Sequence, residues 1–148
     1  MRTLSFCAVG LLLTLVLLTS TFSPATAQSD QTANEKRLVT RGKYLVERVE
    51  LCADCHSPRN ERGEFIRARW LEGSPLFFKS TVPIPDWSDT AIPIAGLPGW
   101  SDADAIKFFT TGIAPGGKPA RPPMPAFRLT EKDAAAVVAY LKSLKPAT

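Results

Sequence analysis

LCADCHSPR, residues 51–59, sets Cys52 and Cys55 on either side of Ala53 and Asp54 and follows them at once with His56. Four chemistries use such a cluster: a zinc ion, a disulfide, a redox dithiol, or a covalently attached group. A structural zinc site takes four protein ligands, commonly as two separated pairs. Cys7 is the only other cysteine of the chain and His56 its only histidine. Zinc would therefore have to complete its shell with carboxylates or water. A thioredoxin-like CxxC opens a helix after a strand in a βαβ setting. Here the preceding residues carry a helical pattern and strand signals are lacking. Secreted disulfide scaffolds carry several pairs at wider spacing.

The reading these rivals leave in front is C-x-x-C-H as the attachment site of a c-type haem. Each thiol adds to one vinyl group, and the vinyls lie on neighbouring pyrroles, so the thiols must lie about a turn apart. The histidine that follows brings its imidazole under the iron. One such motif implies one covalent haem, with Cys52 and Cys55 as thioethers and His56 as the proximal ligand.

The start of the chain fits an exported protein. Arg2 precedes an apolar run from Phe6 to Leu18, then Pro24 and Ala25-Thr26-Ala27. This is the pattern of a secretory signal over residues 1–27, cleaved before Gln28. The apolar run is short for a bilayer span, which needs about 20 residues; an uncleaved N-terminal anchor is the alternative. Cleavage leaves one domain over 28–148, without Cys7, with no later stretch apolar enough to cross a membrane, and bound for the periplasm. The chain has 18 Lys and Arg against 14 Asp and Glu, a net charge of +4. The two signs are interspersed, which argues against nucleic acid as a partner.

Upstream of the motif, QSDQTA (28–33) reads as a frayed polar lead. From Asn34, Leu38, Gly42, Leu45 and Val49 recur at helical spacing with Val39 and Val46 beside them, predicting an amphipathic helix over 34–50. A second helix is expected over 102–110, capped by Ser101 with Asp104 three residues on and ended by Gly112. A third is expected over 131–143, capped by Thr130. It buries Val137, Val138, Leu141 and Leu144, keeps Tyr140 at its edge, and stops at Pro146. Between them, TVPIPDWSDTAIPIAGLPGW and APGGKPARPPMPAF are too proline-rich for helix interiors. The fold class is all-α: a few helices over about 34–145 joined by long, stiff loops that need something to wrap around.

His56 is the only histidine, so a second histidine ligand from this chain is excluded. Methionine is the common protein partner opposite histidine in haem electron carriers. With Met1 removed by cleavage, Met124 is the only methionine. Pro122, Pro123 and Pro125 frame it, so its loop loses little entropy on ordering. A core methionine filling a gap is the plain alternative; the proline frame favours ligation of iron.

With these parts in place, the chain resembles the class I, single-haem cytochromes c. In that family a first helix leads into CxxCH, a methionine loop follows, and a last helix crosses the first. Gly42 and Tyr140 match the glycine and aromatic that pack where those helices cross. RGKYLV, CADCHSPR, TTGI and PPMPAF are similar to single-haem domains in cytochrome subunits of bacterial dehydrogenases. The resemblance covers most of residues 34–145. The stretch 64–99 departs from it in length and in proline and tryptophan content.

The resemblance implies that a proline carbonyl holds the proximal histidine, for which Pro75 is the candidate. It implies propionate donors, for which Arg59, Trp87, Trp100 and Arg121 are candidates; a solvated arginine or a core tryptophan explains each equally well. Thr110, Thr111 and Gly112 are further candidates for the pocket, though a helix terminus accounts for them. The function implied is one-electron transfer, without catalysis, between redox protein partners such as a dehydrogenase, an oxidase or another cytochrome. The alternatives are a haem subunit of a larger dehydrogenase, and a haem peroxidase or gas sensor with a displaceable Met124.

Overall fold

A computed structural model describes residues 24–146. The apolar run with Arg2 and Cys7 lies outside the described residues. The first helix, α1, is described over Pro24–Tyr44. The helix therefore starts before Asn34. QSDQTA is helical, because its alanine, glutamines and flanking Glu35 and Lys36 are sound helix formers with no glycine or internal proline to stop them. Residues 28–37 are exposed.

The helix ends differently from the 34–50 expectation. Leu45–Val49 form a π-helical turn, in which the Glu50 amide donates to the Leu45 carbonyl at 2.8 Å. A π turn takes in one residue more than an α turn. It keeps Leu45 and Val46 buried at 4% and 0% exposure and leaves Val49 52% exposed, so Val49 does not belong to the core. Leu51 follows in the left-handed region at φ 51°, an uncommon conformation for a branched side chain. The chain then enters α2, Ala53–His56, the helical turn that carries the motif.

Residues 57–101 are loop with two short ordered pieces. A 3₁₀ turn spans Arg67–Arg69, and the strands β1, Ser74–Pro75, and β2, Thr90–Ala91, pair antiparallel with Ser74 opposite Ala91. The two helices α3, Asp102–Thr111, and α4, Glu131–Ser143, fall where the sequence puts them, the first one residue longer. Ser101 Oγ accepts from the Asp104 amide, and Thr130 Oγ1 from the Asp133 amide. Gly112 closes α3 at φ 73°.

The centre of the fold is the crossing of α1 and α4. A Cβ on Gly42 would lie 1.9 Å from the Ala136 carbonyl oxygen and 2.7 Å from Tyr140 Cβ, so only glycine permits this approach. Tyr140 is buried rather than at the edge, 5% exposed. Its hydroxyl donates to Glu47 Oε1 at 2.6 Å, which satisfies the polar end of a buried ring. Arg41 pairs with Asp133 at 3.0 Å across the same helices, and Lys142 of α4 with Asp102 of α3. Among the described residues, no helix is long and apolar enough to cross a membrane.

Candidate haem site

One cavity of about 420 Å³ brings together Cys52, Cys55, His56 and Met124. This volume lies in the range of small-molecule and cofactor pockets. Its walls are largely apolar: Leu76 and Ile94 from the long loop, Leu97, Phe108 and Phe109 on and before α3, and Phe127 after the methionine loop. Trp100 stacks edge-on against Phe108, with ring centroids 5.4 Å apart, and also lines the cavity.

The motif residues are held in place from outside the motif. The His56 carbonyl accepts from the Gly73 amide at 2.8 Å, and Ser57 Oγ accepts from the Leu71 amide at 2.9 Å. His56 Nδ1 lies 2.7 Å from the Ile92 carbonyl oxygen. A carbonyl only accepts, so Nδ1 carries the proton and Nε2 keeps its lone pair. Burial holds His56 below the usual imidazole range, against the opposing pull of the Ile92 hydrogen bond. The ring is therefore neutral at physiological pH with Nε2 free to bind a metal. The acceptor is Ile92 and not Pro75, which is exposed and instead pairs with Thr90 in the small sheet. Ile92 precedes Pro93, and both line the cavity. Sequence alone had no signal for this bond, because its acceptor is a backbone oxygen 36 residues away.

Both cysteines are buried or half-buried thiols. Burial pushes Cys52 up to about 12, with the Glu50 charge adding to it. Burial also raises Cys55, with Asp54 adding and Arg59 opposing. Reactive redox dithiols need lowered values, so this environment argues against the dithiol reading. Zinc fares no better: among the described residues no group of three or more His, Cys, Asp or Glu side chains is placed to hold a metal.

Met124 reaches the cavity on a half-buried turn, its amide donating to the Arg121 carbonyl at 2.9 Å. Pro122–Pro123 is a cis peptide. Arg121 ties this turn to the long loop, with Nε donating to the Asp86 carbonyl at 3.1 Å and Nη2 to the Trp87 carbonyl at 3.2 Å. The Ser88 amide adds a bond to the Pro122 carbonyl at 2.7 Å.

The propionate candidates divide. Arg121 and Trp100 line the cavity, whereas Arg59 and Trp87 do not. Arg59 is engaged elsewhere. It donates to Asp54 Oδ1 at 3.0 Å and to the Gly63 carbonyl at 2.8 Å, and its guanidinium lies 3.8 Å from the Phe65 ring centroid. It braces the motif turn against the loop that follows. The Trp87 indole N–H is buried without a partner, while its neighbour Ser88 lines the cavity. Buried donors of this kind are rare and ask for an acceptor. Thr110, Thr111 and Gly112 lie off the cavity; Thr111 Oγ1 donates to the Lys107 carbonyl and Gly112 caps α3. Glu50 lines the cavity as well, a residue the sequence presented only as the end of a helix.

The donor set fits a haem: an apolar slot, two thiols one helical turn apart, a neutral imidazole with its far nitrogen free, and a thioether on the same walls. The cytochrome c family model matches residues 39–145, so the chain belongs to the cytochrome c family. Two dehydrogenase subunits are among its relatives. It is 30% identical over 109 residues to the fructose dehydrogenase cytochrome subunit of Gluconobacter japonicus, covering 70% of this chain and 21% of that protein. It is 30% identical over 135 residues to the cytochrome c subunit of the quinone alcohol dehydrogenase of Gluconacetobacter polyoxogenes, covering 84% and 28%. A diheme c-type cytochrome of Cereibacter sphaeroides is 35% identical over 108 residues, covering 69% and 34%. The chain thus spans between about a fifth and a third of these relatives. Membership of the family implies a covalent c-type haem.

Proposed function

We propose that the chain is an exported electron-transfer protein, its residues 1–27 a signal and residues 28–148 a single cytochrome c domain with one haem. Cys52 and Cys55 would hold the haem as thioethers, and His56 Nε2 and Met124 Sδ would bind its iron. The observation that carries this reading is the meeting of all four side chains, drawn from two distant parts of the sequence, on one apolar cavity. Bound there, haem supplies an Fe(III)/Fe(II) couple.

The chain's own residues set how that couple behaves. The Ile92 carbonyl orients the imidazole and raises its basicity through the Nδ1 proton. Met124 favours the reduced state and raises the potential. The phenylalanine walls exclude water, and the bonds from Arg121 and Ser88 hold the methionine turn in place. With both ligands in place the iron would have no free position for substrate, and the chain would relay electrons rather than act on a substrate. The names of its relatives point to a dehydrogenase as donor, with this chain either a free carrier or a subunit of that enzyme. Copurification of a large dehydrogenase with the tagged protein separates these two.

Absorption spectra of the periplasmically matured protein test the reading. c-type bands, the mass of one haem on the intact chain, and the weak red band of a ferric iron–methionine bond are expected. A haem protein lacking the red band overturns Met124 ligation; a protein without haem overturns the whole reading.

A further inference from the structure

Among the described residues, Glu50 is the one carboxylate on the cavity wall. It closes the π-helical turn, two residues before Cys52, so the same backbone that places the first thiol places this acid. Its Oε2 is buried and has no hydrogen-bond partner. A buried carboxylate oxygen normally has one, and without it the ionised form is costly to hold.

The charge that bears on Glu50 adds to that cost. The group bearing on Glu50 from α4 is Asp133, a like charge. Arg41 of α1 is paired with Asp133 at 3.0 Å, and of the two cations on the cavity wall Arg121 is bonded to the Asp86 and Trp87 carbonyls while Lys118 is exposed to solvent. From the motif side the neighbour is the Cys52 sulfur, uncharged as a thiol or as a thioether. Burial first and Asp133 second raise the Glu50 carboxyl above the usual carboxylate range.

On the reading that haem occupies this cavity, we propose that Glu50 is a proton site coupled to the oxidation state of the iron. One electron arriving from the donor redox protein takes the iron from ferric to ferrous, and one proton from solvent moves onto the Glu50 carboxylate. Reoxidation by the acceptor returns both, so the net charge of the site stays constant through the cycle. The driving force is the like-charge effect: an electron added beside a half-buried carboxylate disfavours its ionised form. Haem brings carboxylates of its own, so the test must separate them from Glu50.

The test is the midpoint potential of the haem-loaded protein from about pH 4 to about pH 8, which brackets a raised carboxylate. The wild-type potential is expected to fall as pH rises, while Glu50→Gln stays level across the same window. A redox-linked difference of about one pKa unit changes the ratio of reduced to oxidised protein at fixed applied potential about tenfold. Glu50→Asp keeps an acid at the position and is expected to keep the slope with its inflection moved. A level wild-type profile, or a Glu50→Gln profile that keeps the wild-type slope, overturns the proposal and leaves any proton on the haem carboxylates. If Glu50→Gln fails to mature, Glu50→Asp decides: an unmoved inflection refutes the assignment. Failure of the parent reading looks different, since a protein without haem yields no potential to measure.

Discussion

Replacing Gly42 with alanine tests the helix crossing on which the fold rests. The added Cβ would lie 1.9 Å from the Ala136 carbonyl oxygen, 2.6 Å from its carbon and 2.7 Å from Tyr140 Cβ. The first contact is about 1.5 Å closer than ordinary van der Waals separation. Two of the three obstacles are backbone atoms, which no rotamer change removes. Ala136 and Tyr140 are themselves buried, at 0% and 5% exposure, with Val137 and Leu141 packed beside them at 1% and 0%. The helices must therefore separate as bodies. Overpacking of this kind costs about 3 kcal/mol or more. Alanine's better helix propensity returns about 1 kcal/mol, for a net loss of about 2 kcal/mol. At about 4 °C per kcal/mol for a domain of this size, the melting temperature should fall by about 8 °C. Far-UV circular dichroism melts of the haem-loaded protein read this directly. Thr40→Ala is the control on the same helix: exposed, its hydroxyl bonded only to the Lys36 carbonyl, and expected within about 0.5 kcal/mol of wild type. A Gly42→Ala protein melting within about 2 °C of wild type would refute the close crossing.

Three other outcomes follow from the same structure. Met124→Ala should lower the reduction potential, abolish the red ferric band and let carbon monoxide bind the reduced protein quickly; fast carbon monoxide binding by the wild type would instead favour an open sensor or peroxidase site. Thr130→Ala removes the side-chain acceptor for the Asp133 amide and should cost about 1 kcal/mol by urea titration, with no change in the absorption spectrum. Glu50 is raised in the folded chain above its ordinary value of 4.5, so its protonated form favours the fold. Its stabilising contribution is complete below about pH 4.5 and is lost as pH rises through the raised value. Glu50→Gln should therefore gain stability relative to wild type on going from acid to neutral pH, and equal urea midpoint shifts for both proteins would contradict the burial of this acid.

The sequence carried the parts of this fold that depend on local chemistry. Ser101 with Asp104, Thr130 with Asp133, and Gly112 at a helix end each fix a terminus within a few residues, and α3 and α4 lie where those caps put them. The Gly42–Tyr140 pairing was legible only through resemblance, because nothing local distinguishes a crossing glycine from a tolerated one. The π turn was invisible for a physical reason: LVERV continues an α-helical pattern, and the extra residue is imposed by the turn into the cysteine motif. From that one insertion follow both errors at the end of α1, the exposure of Val49 and the overlooked Glu50. At the cavity, Cys52, Cys55, His56 and Met124 were legible as wall residues because the sequence offers so few thiol, imidazole and thioether side chains. The acceptor for His56 was not, since any backbone carbonyl in the chain is a candidate and only tertiary structure selects Ile92.

The long segment between Glu64 and Gly99 answers its own question once these contacts are assembled. It supplies the Ile92 carbonyl that sets the tautomer of His56 and the Gly73 amide that bonds the His56 backbone. It also supplies Leu76, Ser88, Thr90, Ile94 and Leu97 to the cavity wall, while Asp86 and Trp87 receive Arg121 from the methionine turn. Both proposed axial ligands are thus steadied by the same loop, one through its imidazole and the other through the turn that carries it. A weak iron–thioether bond tolerates little freedom in its ligand, and a proline frame restricts the methionine turn without anchoring it to the rest of the protein. The two Arg121 bonds and the Ser88 bond provide that anchor, so this long loop supplies, largely through its backbone groups and aliphatic side chains, the cavity wall and the supports of the proposed ligands.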